Sequence, residues 1–150
     1  MSFWTSARVA EALALEAPHQ ADYTAVATDT RTIPKGALFV ALAGERFDAH
    51  QFLKDAKARG ARAAVVRQGT PPVEGLPFYA VPDTLVALGF LARYYRRALD
   101  LAGPVVAVTG TNGKTSTTQM LAAVLSRRFR VHATVGNLNN LVGVPLTLLG

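Results

Sequence analysis

Residues 109–115 read Thr-Gly-Thr-Asn-Gly-Lys-Thr and follow the apolar run Val105, Val106, Ala107, Val108 directly. Behind them Met120, Leu121, Val124 and Leu125 recur at helical spacing. Strand, glycine turn, then a helix opened by Lys-Thr is the layout of a phosphate-binding loop. The glycines let main chain approach an anion, and the N–H groups at the helix start point at it. Lys114 then reaches the β- and γ-phosphates of a nucleotide, and the Thr115 hydroxyl takes Mg²⁺. Thr109, Gly110, Thr111, Asn112, Gly113, Lys114, Thr115 and Ser116 are the candidate nucleotide contacts, with Lys114 and Thr115 in the catalytic roles and Thr115 as the metal ligand. The usual spacing puts a glycine five residues before the Gly-Lys pair, where this chain has Val108; Gly110 and Gly113 are only three apart. The plain alternative is a tight strand–helix turn with a solvated lysine.

A second polar cluster, Gly136-Asn137-Leu138-Asn139-Asn140, follows Val131 to Val135, which read as a strand. Asparagines tolerate left-handed turns, which is one reading. Three in four residues beside a phosphate loop also put amide donors near phosphate or carboxylate oxygens.

Elements that position these groups follow from periodicity. Residues 6–15 form a short amphipathic helix capped by Thr5. Residues 23–28 are a strand, and Pro34-Lys35-Gly36 a turn. Residues 37–42 form a buried strand, and a polar loop spans 43–50. A helix runs from about Gln51 to Arg59 and is closed by Gly60. Strands at 63–66 and 78–81 flank a Pro/Gly-rich loop. Asp83 caps a long helix to about Leu101, with Leu85, Leu88, Leu91, Tyr95 and Ala98 along its core face. Alternating strands and helices predict an α/β fold. The expected layout is a small N-terminal α/β substrate-binding domain, 1–102, then the start of a P-loop parallel-sheet domain, 103–150.

The chain has no cysteine, which excludes disulfides and thiolate chemistry. His19, His50 and His132 are too dispersed for a metal site. Net charge is +6, with 12 basic and 10 acidic side chains in residues 1–100 but 4 basic and none acidic in 101–150. Such an excess suits nucleic acid, anionic membrane or small polyanions. The densest basic cluster, Tyr94-Tyr95-Arg96-Arg97, sits in a helical pattern and reads as one buried aromatic with a solvated arginine face. Small phosphorylated ligands are therefore favoured, with no nucleic acid and no membrane insertion. The N-terminus lacks a signal-peptide layout, and a cytoplasmic location is the default. A P-loop enzyme also needs carboxylates on a later strand. With none after Asp100, the chain is expected to be the front part of a longer enzyme, inactive alone.

The residues resemble the Mur ligases of bacterial cell-wall synthesis. The loop 109–115 is similar to that family's shortened ATP loop. Three stretches add to the likeness: Thr28-Asp29-Thr30-Arg31 with Pro34, Gly36 and the run 38–42; Gly44-Glu45-Arg46-Phe47-Asp48-Ala49-His50 with Phe52 and Ala56; and the asparagine cluster with Gly143-Val144-Pro145-Leu146-Thr147. The resemblance implies a three-domain ATP- and Mg²⁺-dependent ligase whose first domain holds the UDP part of its substrate. Asp29, Thr30, Arg31, Gly44, Phe47, Asp48 and His50 are then UDP-substrate candidates, joined by Asn137, Asn139 and Asn140. Asp29 with Arg31 as a structural pair, and Phe47 and His50 as loop packing, remain the plain alternatives.

The implied reaction is amide formation. The terminal carboxylate of UDP-N-acetylmuramoyl-tripeptide takes the γ-phosphoryl group, and the amine of D-alanyl-D-alanine displaces phosphate from the acyl phosphate. The full-length protein is expected to be a monomer. Three other readings stand beside it: the sister ligase that adds the third amino acid, a non-catalytic UDP-sugar-binding module, and a nucleic-acid-binding P-loop protein.

Overall fold

The computed structural model describes residues 2–44, 47–99, 104–134, 138 and 140–150. It divides into two compact units, residues 1–91 and 92–150.

The first unit is built on parallel strands. β3 (Val26–Ala27), β4 (Leu38–Val40), β5 (Ala63–Arg67) and β6 (Phe78–Val81) lie side by side in chain order, all parallel. Alternate residues face opposite sides of such a sheet. On one side Phe39, Ala41, Ala64 and Val66 pack with Ala49, Leu53, Ala56, Ala61 and Leu76, and Ile33, Val73 and Phe78 close the margin. Leu38, Val40 and Val65, on the other side, are equally buried. Burial on both faces is why β4 and β5 read as continuous apolar runs rather than alternating ones.

The N-terminal elements attach to the second side. β1 (Trp4–Thr5) pairs antiparallel with β2 (Asp22–Tyr23). Between them α1 (Ser6–Leu13) starts on Thr5, whose hydroxyl accepts from the Arg8 N–H, as its sequence predicts. The Tyr79 hydroxyl, from the middle of β6, meets the Tyr23 hydroxyl at 2.9 Å and the Ser6 carbonyl at 3.4 Å. Burial is the main cause that raises both phenols above their ordinary pKa.

Several boundaries differ from expectation. Helix α1 stops at Leu13, not residue 15, because Ala14 takes a left-handed conformation (φ +53°) that no glycine announces. The single strand expected over 23–28 is two. At Thr24 the backbone N–H and the side-chain hydroxyl turn to Gly36 and Lys35 carbonyls, which separates antiparallel β2 from parallel β3. The helix expected from Gln51 begins as a 3₁₀ turn, Ala49–Phe52, before α2 (Leu53–Ala58). Gly60 does hold the positive φ (+102°) after it.

Helix α3 (Thr84–Ala98) runs across the boundary between units. Asp83 caps it, accepting from the Leu85 and Val86 N–H groups. Thr84, Ala87, Leu88 and Leu91 are its buried residues in the first unit; Ala98, expected on the core face, is exposed. The break at 100–103 lies outside the described residues.

The second unit contains α4 (Lys114–Leu125) and α5 (Gly143–Leu149). The expected strand 105–108 does not form: residues 104–110 belong to no strand and pair with none among the described residues, and Val105 and Val106 are 51% and 58% exposed. Residues 131–134 form no strand either, and Val135 lies outside the described residues. A buried parallel strand needs hydrogen-bonded neighbours, and the described part of 104–150 pairs with neither segment. For the same reason Met120, Leu121 and Val124 of α4 are exposed rather than core.

Candidate functional site

In the second unit, the turn into α4 has the form of an anion cradle. Gly113 is left-handed (φ +78°), and Gly110 has φ +149°, also closed to residues with a Cβ. Gly113 is the N-cap and supplies no side chain, and the first turn of α4 carries no acid. The first helical hydrogen bond runs from the Thr117 N–H to the Gly113 carbonyl. The N–H groups of Lys114, Thr115 and Ser116 therefore have no partner within the helix. Lys114 folds back over its own loop, its Nζ donating to the Gly110 carbonyl at 2.6 Å and reaching that of Thr111 at 3.4 Å. The ammonium thus lies over the carbonyls of its own loop. Thr109, Thr111, Asn112, Thr115 and Ser116 are exposed around it.

Thr115 offers one hydroxyl for Mg²⁺. Among the described residues there is no group of three or more His, Asp or Glu that would hold a metal without the nucleotide.

Asn140 lies in the turn that leads into α5. Its Oδ1 accepts from the Val142 and Gly143 N–H groups at 3.1 and 2.7 Å, which leaves its amide –NH₂ for another partner. Gly143 is needed for close approach, since a Cβ there would lie 2.4 Å from the Leu138 Cα. Asn137 and Asn139 lie outside the described residues.

In the first unit the candidates leave the sheet after β3 and β4, and ligands of parallel sheets bind beyond the carboxyl ends of strands. After β3, Asp29 caps the 3₁₀ turn Thr30–Thr32 through the Arg31 N–H. The Arg31 side chain closes on the same carboxylate with a forked pair, Nε to both oxygens at 2.9 and 3.1 Å and a terminal nitrogen at 2.5 Å. Those bonds from Arg31, foremost, hold the Asp29 carboxyl down to about 2. The outer side of the guanidinium is open to solvent. Thr30 is half-buried in the turn.

After β4 the chain makes a tight loop. Gly44 donates its N–H to the Phe47 carbonyl at 2.7 Å, and Ala43 pairs with Asp48 across the neck. Glu45 and Arg46 lie outside the described residues. Phe47 is 59% exposed and stacks one face on Phe52, with centroids 5.5 Å apart. Asp48 Oδ1 accepts from the His50 N–H at 2.9 Å and lies 2.5 Å from His50 Nδ1. The other ring nitrogen, Nε2, is 2.9 Å from the backbone nitrogen of Arg67. A backbone N–H can only donate, so Nε2 accepts. The ring proton is then on Nδ1, directed at Asp48, which assigns the neutral tautomer. His50, with a side chain only 11% exposed, thus ties the loop to the end of β5. The bond from the His50 N–H is the main cause that lowers the Asp48 pKa, with the His50 ring and the Arg67 charge adding to it.

Arg67 is the residue that sequence reasoning passed over. It reads as the polar stop of an apolar strand, and only the fold places its guanidinium 3.7 Å from Asp48 Oδ2.

Comparison with known families decides the ancestry. The model of the Mur ligase family, catalytic domain, matches residues 22–96, half of the chain, and that of the Mur ligase middle domain matches residues 108–150. The chain belongs to the Mur ligase family. Among curated Mur ligases it is 51% identical over 125 residues to the UDP-N-acetylmuramoyl-tripeptide–D-alanyl-D-alanine ligase of Escherichia coli, covering 83% of this chain and 27% of that protein. Among solved Mur ligase structures it superposes on MurF from Acinetobacter baumannii with a TM-score of 0.84 and 38% identity, covering 97% of this chain and 32% of the other. MurF ligase from Thermotoga maritima in complex with ADP gives a TM-score of 0.72 and 33% identity, covering 83% and 28%. The chain thus spans between a quarter and a third of the length of these relatives.

Proposed function

We propose that this chain is the front portion of an ATP-dependent ligase that joins D-alanyl-D-alanine to UDP-N-acetylmuramoyl-tripeptide in the cytoplasm. The observation that carries the reading is the α4 cradle. Two glycines in conformations closed to other residues, an uncapped helix start and Lys114 across the loop suit the phosphates of ATP, which supplies the group that activates the tripeptide carboxylate. Phosphoryl transfer asks the protein for positioning and charge neutralisation rather than for a nucleophile. Lys114, the amides of residues 113–116 and the Thr115 hydroxyl with Mg²⁺ do this. The loops after β3 and β4, carrying Asp29, Thr30, Arg31, Gly44, Phe47, Asp48 and His50, hold the UDP part of the substrate, and Asn137, Asn139 and Asn140 face its peptide end. The choice of D-alanyl-D-alanine as acceptor is supported by the similarity to the Escherichia coli enzyme across most of the chain. We also propose residues 1–102 and 103–150 as the two functional domains.

This division of labour is tested in the full-length ligase with Lys114→Ala. Turnover should fall at least a thousandfold while binding of the UDP-linked tripeptide, measured by calorimetry, stays within about twofold. Equal loss of both would refute it.

A further inference from the structure

Among the described residues of the first unit, Arg67 stands apart from the other basic side chains in how it is held. It ends β5, an inner strand of the sheet, at the carboxyl end where parallel sheets present ligand contacts. Its backbone N–H is fixed by His50 Nε2. Its side chain is 58% exposed, and the terminal nitrogen lies 3.7 Å from Asp48 Oδ2, an ion pair beyond hydrogen-bond reach. Among the described residues the guanidinium makes no hydrogen bond, so the carboxylate orients it without occupying its five donors. Asp48 itself spends Oδ1 on the His50 N–H and ring. Arg31 is the contrast, with its fork closed on Asp29.

The residue next to Asp48 supplies the other half of a recognition surface. Phe47 presents one face to solvent and is backed on the other by Phe52. A supported aromatic face thus stands next in sequence to the carboxylate that orients an unspent guanidinium. That pairing matches a ligand with a planar ring at one end and a diphosphate at the other. Resting on the reading of this unit as the UDP-substrate holder, we propose that Arg67 binds the diphosphate of the nucleotide sugar through its guanidinium, with Phe47 as the platform for the base.

The geometry makes the test clean, because Arg67→Ala removes the guanidinium but keeps the main-chain N–H that holds His50. Binding of uridine, UMP and UDP to the chain is measured by calorimetry, with saturating ADP and Mg²⁺ present so that the α4 cradle is filled. Arg67→Ala should weaken UDP about tenfold or more and UMP less, and leave uridine within about twofold; Arg67→Lys should recover part of the loss. Unchanged UDP affinity in Arg67→Ala would overturn the proposal. Equal weakening of uridine and UDP would also overturn it, by showing a structural role only. If the unaltered chain binds none of the three, the reading of this unit as a UDP site fails and the assignment of Arg67 fails with it.

Discussion

His50 is the point at which one substitution should loosen the loop after β4 by a calculable amount. His50→Ala removes the Nδ1–H bond to Asp48 and the acceptor for the Arg67 N–H. The first is charge-assisted but Asp48 is partly solvated, so about 1.5 kcal/mol is appropriate; the second adds about 1 kcal/mol. The bond from the His50 backbone N–H to Asp48 survives, because it does not involve the side chain. The expected loss is about 2.5 kcal/mol, a fall of about 1–2 M in the urea midpoint for a unit of this size. Trp4 makes the assay selective: it is the chain's one tryptophan, is 3% exposed and lies in the first unit. His50→Asn can retain the Asp48 bond and His50→Gln the Arg67 bond, so each should cost about half as much. A midpoint shift below about 0.3 M for the alanine variant would refute the latch. Asparagine and glutamine variants no better than alanine would show that ring packing, not the two hydrogen bonds, holds the loop.

Two further predictions concern the same unit. The Asp29 carboxyl should titrate near 2 by NMR and return towards about 3.9 in Arg31→Ala. Because its folded pKa lies below the unfolded one, the stability it lends is complete above about pH 4 and is lost as pH falls towards 2; a titration unmoved by Arg31→Ala would contradict the pairing. Tyr79→Phe removes the hydroxyl that joins Tyr23 to the Ser6 carbonyl. It should cost about 1 kcal/mol by the Trp4-monitored urea curve, and an unchanged midpoint would mean the hydroxyl pair is dispensable.

The first unit was largely legible because its signals are local. Phe78–Val81 is a strand bounded by Pro77 and Pro82, Asp83 and Thr5 cap the helices that follow them, and Gly60 closes α2. What escaped depends on partners distant in sequence. Nothing local at Thr24 says that the chain changes from an antiparallel to a parallel neighbour, and nothing at Ala14 announces its left-handed turn. Arg67 acquires its place only when β5 lies beside β4, bringing it to His50 and Asp48, 17 and 19 residues earlier. In the second unit the α4 helix and its glycine turn form from their own residues, while 105–108 and 131–134 carry strand composition but find no ladder among the described residues. The turn chemistry of Thr109–Thr115 was therefore readable where the sheet around it was not.

The central claim is tested most directly by measuring ATP-dependent phosphate release from the full-length ligase supplied with UDP-N-acetylmuramoyl-tripeptide. D-alanyl-D-alanine is compared with single amino acids as the acceptor. Release is expected with the dipeptide and none with single amino acids. Release with a single amino acid in place of the dipeptide, or no release with either, would contradict it.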